Sequence, residues 1–193
     1  MNKLKLMLHH PTRGDWREIN KNIAKEAPDL CVVLGDFGYQ PHLETRGLPY
    51  PSEEDHWYMS EGINTSSPVL FIDGPLDDFE ELESQGSRNK NAIQIYERCL
   101  YIPRGVLMEL CTGHTVLFMG GAYPDIREHE LRRAEEHEEV DIVLSYDKRK
   151  YFPNFPTAMQ WYWGRDSTTY TILNLQGREE DRYARTLRIR HRD

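Results

Sequence analysis

Leu30-Cys31-Val32-Val33-Leu34-Gly35-Asp36-Phe37-Gly38-Tyr39 is the stretch that decides the fold class of this chain. Five consecutive apolar residues, two of them β-branched, match a strand covered on both faces, as in a parallel sheet. Gly35 then ends the run, and Asp36 stands at its carboxyl end. Upstream, Leu4, Leu6 and Leu8 alternate with Lys3, Lys5 and Met7, which predicts a first strand ending at His9-His10. Pro11 to Gly14 reads as a turn. Asp15 reads as the cap of a helix from Trp16 to about Ala27, with Trp16, Ile19 and Ile23 on one face. Strand, helix and strand at this spacing make a βαβ unit, and open α/β sheets carry ligand crevices at the carboxyl ends of their strands. Asp36 falls at such an end.

Further along, Val69 to Ile72 is a third apolar strand, followed by Asp73-Gly74-Pro75 and a short acidic helix from Asp78 to about Glu83. Residues 40–52 read as a loop, with a short helix near 53–63, and 84–92 as a polar loop. Ile93 to Tyr96, Leu100 to Ile102, Val106 to Cys111 and Thr115 to Met119 read as short strands separated by Pro103, Gly105 and Gly113. Ile126 to Glu138 reads as a charged, largely solvated helix, and Val140 to Leu144 as another buried strand. Tyr170 to Leu175 and Leu187 to His191 are expected as late strands of a second sheet.

At 193 residues the chain is expected to be one domain spanning 1–193. Charged residues at 29%, hydrophobic ones at 38% and aromatics at 11% describe a folded, hydrophilic protein rather than a disordered one. A formal net charge of −8 argues against general nucleic-acid binding and against anionic membrane surfaces. Cys31, Cys99 and Cys111 form no CxxC pair, so reduced thiols are expected rather than a disulfide framework or a zinc knuckle. No apolar run approaches the ~20 residues a membrane-spanning helix needs, and Lys3 and Lys5 interrupt the N-terminal apolar stretch. A cytoplasmic location is the resulting expectation.

Gly35-Asp36-Phe37-Gly38-Tyr39, Phe71-Ile72-Asp73-Gly74, Tyr101-Ile102-Pro103-Arg104-Gly105, Phe118-Met119-Gly120-Gly121-Ala122-Tyr123 and Val140-Asp141-Ile142-Val143-Leu144, with the region of Gly164, occur in one order along the chain. This series resembles the calcineurin-like metallophosphoesterases. The resemblance implies a four-layer α/β/β/α sandwich of two mixed β-sheets, with the site on the loops above the strands. It also implies a hydrolase in which two divalent ions such as Mn, Fe or Zn, about 3.5–4 Å apart, activate a hydroxide. Their ligands would come from Asp-x-His, Gly-Asp, Gly-Asn-His-Asp/Glu, an isolated His, and Gly-His-x-His.

On those positions this chain departs from the pattern. In the first motif either Pro11 and Arg13 or His10 and Thr12 take the ligand places, according to where one extra residue is put. Asp36 is retained. Pro75 and Leu76 replace the amide and the imidazole of the third motif, leaving Asp77 after them. Tyr146 replaces the isolated His, and Arg165 and Ser167 replace both imidazoles of the last motif. Divalent ions need a cage of several oxygen or nitrogen donors, and the residual set is His10, Asp36, Asp77 and Asp166. The ordinary alternatives are that Asp36 caps a turn, Asp77 caps a helix and His10 is a solvated loop residue.

Two readings follow. In the first, the chain is a catalytically silent binding or scaffold protein with no cofactor, engaging a protein partner or a phosphorylated small ligand. Arg13 and Arg165 could then form an anion pocket where the metals would sit, or merely fill that space with ion pairs. The alternative is a divergent metal-dependent phosphoesterase, acting on a phosphomonoester or phosphodiester, with a reduced metal site at His10, Asp36 and Asp77. Tyr151 to Trp163 holds six aromatics and two prolines, and is either a docking loop or a sheet edge. Arg185, Arg188, Arg190 and Arg192 alternate with Leu187 and Ile189, as on an edge strand with its arginines in water.

Overall fold

The computed structural model describes residues 2–39, 63–85, 91–121, 127–137, 139–147, 158–162, 170–177 and 188–190. Strand β1 (Lys3–His9), helix α1 (Trp16–Glu26) and strand β2 (Leu30–Leu34) form the expected βαβ unit. Asp15 caps α1, its side chain accepting from Glu18 N, and the helix ends where Ala27 turns left-handed at φ 45°. Strand β3 (Val69–Ile72) and helix α2 (Phe79–Gln85) follow, then β4 (Ile93–Tyr96), β5 (Cys99–Tyr101), β6 (Val106–Glu109) and β7 (Thr115–Met119). Helix α3 (Glu128–Glu135) leads to β8 (Ile142–Ser145), β9 (Met159–Tyr162), β10 (Tyr170–Gln176) and β11 (Arg188–Arg190).

These strands build two mixed sheets, one of seven strands in the order β11-β10-β1-β2-β3-β5-β4 and one of four in the order β6-β7-β8-β9. β1, β2, β3 and β5 run parallel, and the central β2 and β3 are apolar on successive residues because both of their faces are covered. The expectation for the late strands needs correction. β10 and β11 belong to the first sheet, because β10 returns antiparallel along the whole of β1, from Lys3 opposite Gln176 to His9 opposite Tyr170. The second sheet takes its edge instead from β9, inside the aromatic stretch, where Trp161 is buried and its strand lies beside β8. Residues 151–157 and Trp163 lie outside the described residues.

Three apolar clusters hold this arrangement. One joins the two sheets, with Leu6, Leu8, Val32 and Ile72 from the first and Val116, Phe118, Ile142 and Leu144 from the second. Another packs Trp16, Ile19 and Ile23 of α1 against Met7, Cys31, Val33 and Phe71. A third packs Ala134 of α3 against Leu117, Met119 and Val143. Alternation therefore sorts side chains by face: Leu6 and Leu8 meet the other sheet while Met7 meets the helix. The α3 helix is shorter than its charged sequence suggested, and Glu130 and Ala134 on it are buried. Cys31 and Cys99 are buried free thiols, and burial pushes Cys99 up to about 12. Among the described residues, no helix is long and apolar enough to cross a membrane.

His9 closes β1 and is fully buried. Its Nδ1–H donates to His10 O at 2.9 Å, and Asn22 Nδ2 on α1 donates to its Nε2 at 3.0 Å. Only the neutral ring meets both partners, and burial holds its pKa below the ordinary value, against the raising effects of the His10 carbonyl and Asp15. The folded value thus lies below the unfolded one of about 6.5, so this ring's stability is present above about pH 6.5 and lost as pH falls through the folded value. Urea midpoints should drop between about pH 7.5 and about pH 5, and His9→Gln should flatten that drop while lowering the midpoint at both values. An unchanged slope in the variant would assign the acid sensitivity to other groups.

Candidate functional site

Four chain segments converge beyond the carboxyl ends of β2 and β3. The Gly35–Tyr39 loop is central. The preceding loop docks on it through Arg13 N to Asp36 O at 2.7 Å and Gly14 N to Phe37 O at 3.2 Å. Thr12 Oγ1 and Trp16 Nε1 also donate to Phe37 O, at 3.2 and 3.0 Å. Gly38 sits at φ 91° with its Cα so close to the Gly14 backbone that a side chain could not fit between them. The two loops are therefore one backbone-to-backbone unit.

Asp77 ties the loop after β3 to that unit. Its Oδ2 accepts from Phe37 N at 3.1 Å and Gly74 N at 2.9 Å, and its Oδ1 accepts from Gly38 N at 2.7 Å and Tyr39 N at 2.8 Å. Burial pushes this carboxyl up to about 7 while the amides of Gly74, Tyr39 and Gly38 pull against it. Asp77 is not the helix cap that its position suggested. Asp78 takes that part for α2, accepting Glu81 N at 3.2 Å.

Asp36 is buried and its backbone is left-handed, at φ 41°. It does not cap its own turn. Its Oδ1 accepts Leu76 N from 40 residues away, at 3.0 Å, and its Oδ2 accepts the Tyr146 hydroxyl, also at 3.0 Å. Tyr146 follows β8 of the other sheet, and its ring lies so close to Gly35 that a Cβ there would collide with it. Burial and the neighbouring Asp36 hold the phenol protonated, well above the ordinary tyrosine range, and the charge of Arg13 opposes that rise. Arg13 itself is exposed, with φ 51°. His10 and Pro11 are half-buried, Pro75 is exposed, and Leu76 is 46% exposed. Arg165, Asp166 and Ser167 lie outside the described residues.

These donors do not fit a binuclear metal centre. Both oxygens of Asp36 already accept hydrogen bonds, both oxygens of Asp77 face backbone amides, and Pro75 and Leu76 offer no side-chain donor. Among the described residues no group of three or more His, Cys, Asp or Glu side chains is placed to hold an ion. No protein-family model matches the chain, and no curated protein matches it.

A second polar cluster adjoins the site and was missed from sequence. Arg104, 5% exposed, donates from Nε and Nη2 to Asp73 Oδ2 at 2.9 and 2.5 Å and from Nη1 to Glu130 Oε2 at 3.3 Å. Tyr101 Oη donates to Asp73 Oδ1 at 3.0 Å, and the guanidinium lies 3.8 Å over the Phe79 ring. Burial lowers the Arg104 pKa, but the charges of Asp73 and Glu130 outweigh it and the net direction is upward. A carboxylate directly after β3 and an arginine in the turn between the sheets were the available signals.

Proposed function

We propose that this chain is a catalytically silent relative of the calcineurin-like metallophosphoesterases that acts as a binding or scaffold module. One observation carries the reading: Asp36, the retained ligand position, is occupied by Leu76 N–H and the Tyr146 hydroxyl rather than left open among donors. The three apolar clusters, one between the sheets and one on each outer side, support the four-layer α/β/β/α arrangement that the family resemblance implies. The phenol cannot serve as a nucleophile, because it is held protonated and already donates its hydrogen to Asp36. What the crevice offers outward is the exposed Arg13, from the loop whose backbone donates to Asp36 O, and the exposed Pro75 and Leu76, from the loop whose Leu76 N–H donates to Asp36 Oδ1. A cation and exposed apolar residues on two loops that meet at one carboxylate suit a protein partner carrying an acidic or phosphorylated side chain.

Purified protein should contain no stoichiometric Mn, Fe or Zn by elemental analysis, and should not hydrolyse a bis-aryl phosphate with added Mn. Turnover that Asp36→Ala abolishes would reverse this reading in favour of a metal-dependent phosphoesterase. Arg13→Glu should weaken capture of a phosphorylated peptide by about tenfold or more, the scale of one charge-assisted contact. Equal capture by both proteins would place partner binding away from Arg13.

A further inference from the structure

The Tyr146–Asp36 contact joins residues that leave different sheets. Asp36 follows β2 of the seven-stranded sheet, and Tyr146 follows β8 of the four-stranded one. Three features make the contact specific. The hydroxyl meets Asp36 Oδ2 at 3.0 Å, the other oxygen is taken by Leu76 N, and the ring is seated against Gly35, the residue next to Asp36. Tyr146 is also fixed at its own backbone, where its N–H donates to Met119 O at 3.3 Å. An ion at Asp36 would have to displace the phenol and would then find Pro75 and Leu76 alongside, neither with a side-chain donor. Divalent ions bound by a single carboxylate in water are held weakly, because each needs several ligands at once.

We propose that the Tyr146 hydroxyl stands where the implied cation would: a neutral donor that satisfies Asp36 and latches the two sheets across the crevice without any divalent ion. This rests on the reading of the crevice as a binding site rather than a metal centre. In physical terms, a buried carboxylate needs either a positive charge or enough hydrogen-bond donors. Here one backbone amide and one phenol supply the donors, and the length of the tyrosine side chain carries its hydroxyl from the second sheet to the first. The latch therefore depends on Tyr146 and Asp36 jointly, not on either alone.

A double-mutant cycle on the full chain tests this, with Tyr146→Phe and Asp36→Gly as its sides. Glycine is chosen because it accepts the left-handed backbone of position 36. Tyr146→Phe should raise the unfolding constant by about 10- to 100-fold, as expected for a hydrogen bond to a buried carboxylate. The double variant should unfold at least about fivefold less readily than the product of the two single effects. Should Asp36→Gly fail to fold, Asp36→Asn takes that corner and the coupling should shrink but persist. Wild type should show less than about a twofold change in unfolding constant when EDTA is exchanged for about 1 mM Mn2+. Additive effects would overturn the latch, and so would Mn2+ stabilisation that Asp36→Gly removes. The two readings fail separately: additivity without hydrolysis sinks only the latch, and hydrolysis with the coupling intact sinks only the binding reading.

Discussion

Asp77→Ala should destabilise the fold by about 4 kcal/mol or more, measured as the loss of unfolding free energy in urea. Four backbone amides, those of Phe37, Gly38, Tyr39 and Gly74, point at the two carboxylate oxygens. Truncation leaves them without acceptors in a place where the carboxylate itself is only 8% exposed. A buried donor that loses its partner costs about 1–3 kcal/mol, and water admitted by the truncation recovers only part of that. Against a total stability of roughly 5–15 kcal/mol, such a loss brings the variant close to unfolding.

Asp77→Asn separates acceptor geometry from simple volume. An amide has one acceptor oxygen, so in either orientation its NH2 group faces two of the four N–H donors. Its loss should be about 2–4 kcal/mol, despite near-identical size. Asp78→Ala is the control, because Asp78 only caps α2 through Glu81 N, and should cost about 1 kcal/mol. Equal losses at the two positions would return Asp77 to the role of an ordinary helix cap.

That contrast also explains what could be read in advance. The apolar run Leu30–Leu34 announces a strand with both faces covered, and Asp15 announces its helix, because those signals are local. An acid ahead of a short helix equally announces a cap, yet three of the four donors Asp77 meets lie 38 to 40 residues earlier. Nothing in the spacing of the chain predicts that contact. Tyr146 is similar, since the carboxylate that explains it is 110 residues away. It stood out only through the family resemblance, as a tyrosine where an imidazole would be. β10 was legible as a strand but not as a neighbour of β1, because period-2 alternation fixes faces and leaves the pairing partner open. The stretch from Tyr151 to Trp163 reads as either a docking loop or a sheet edge, and β9, which begins at Met159, lies at the edge of the second sheet.

Arg104→Ala should cost about 3–5 kcal/mol, because it leaves the carboxylates of Asp73 and Glu130 buried with no cation between them. The guanidinium suits this place geometrically. Two of its nitrogens reach Asp73 at the end of β3, a third reaches Glu130 on α3, and its flat face covers Phe79 of α2. Gly121, at φ 74°, lies so close that a side chain there would collide with the guanidinium. Arg104→Lys keeps the charge but not the fork, so one ammonium must choose between two acids on different elements. It should lose about 2 kcal/mol or more. The decisive comparison is with Arg104→Met combined with Asp73→Asn and Glu130→Gln. If the loss in Arg104→Ala reflects stranded charge, removing the charges together should recover much of the stability, as neutralised buried pairs commonly do. If it reflects lost packing over Phe79, the triple variant should be no better than Arg104→Ala.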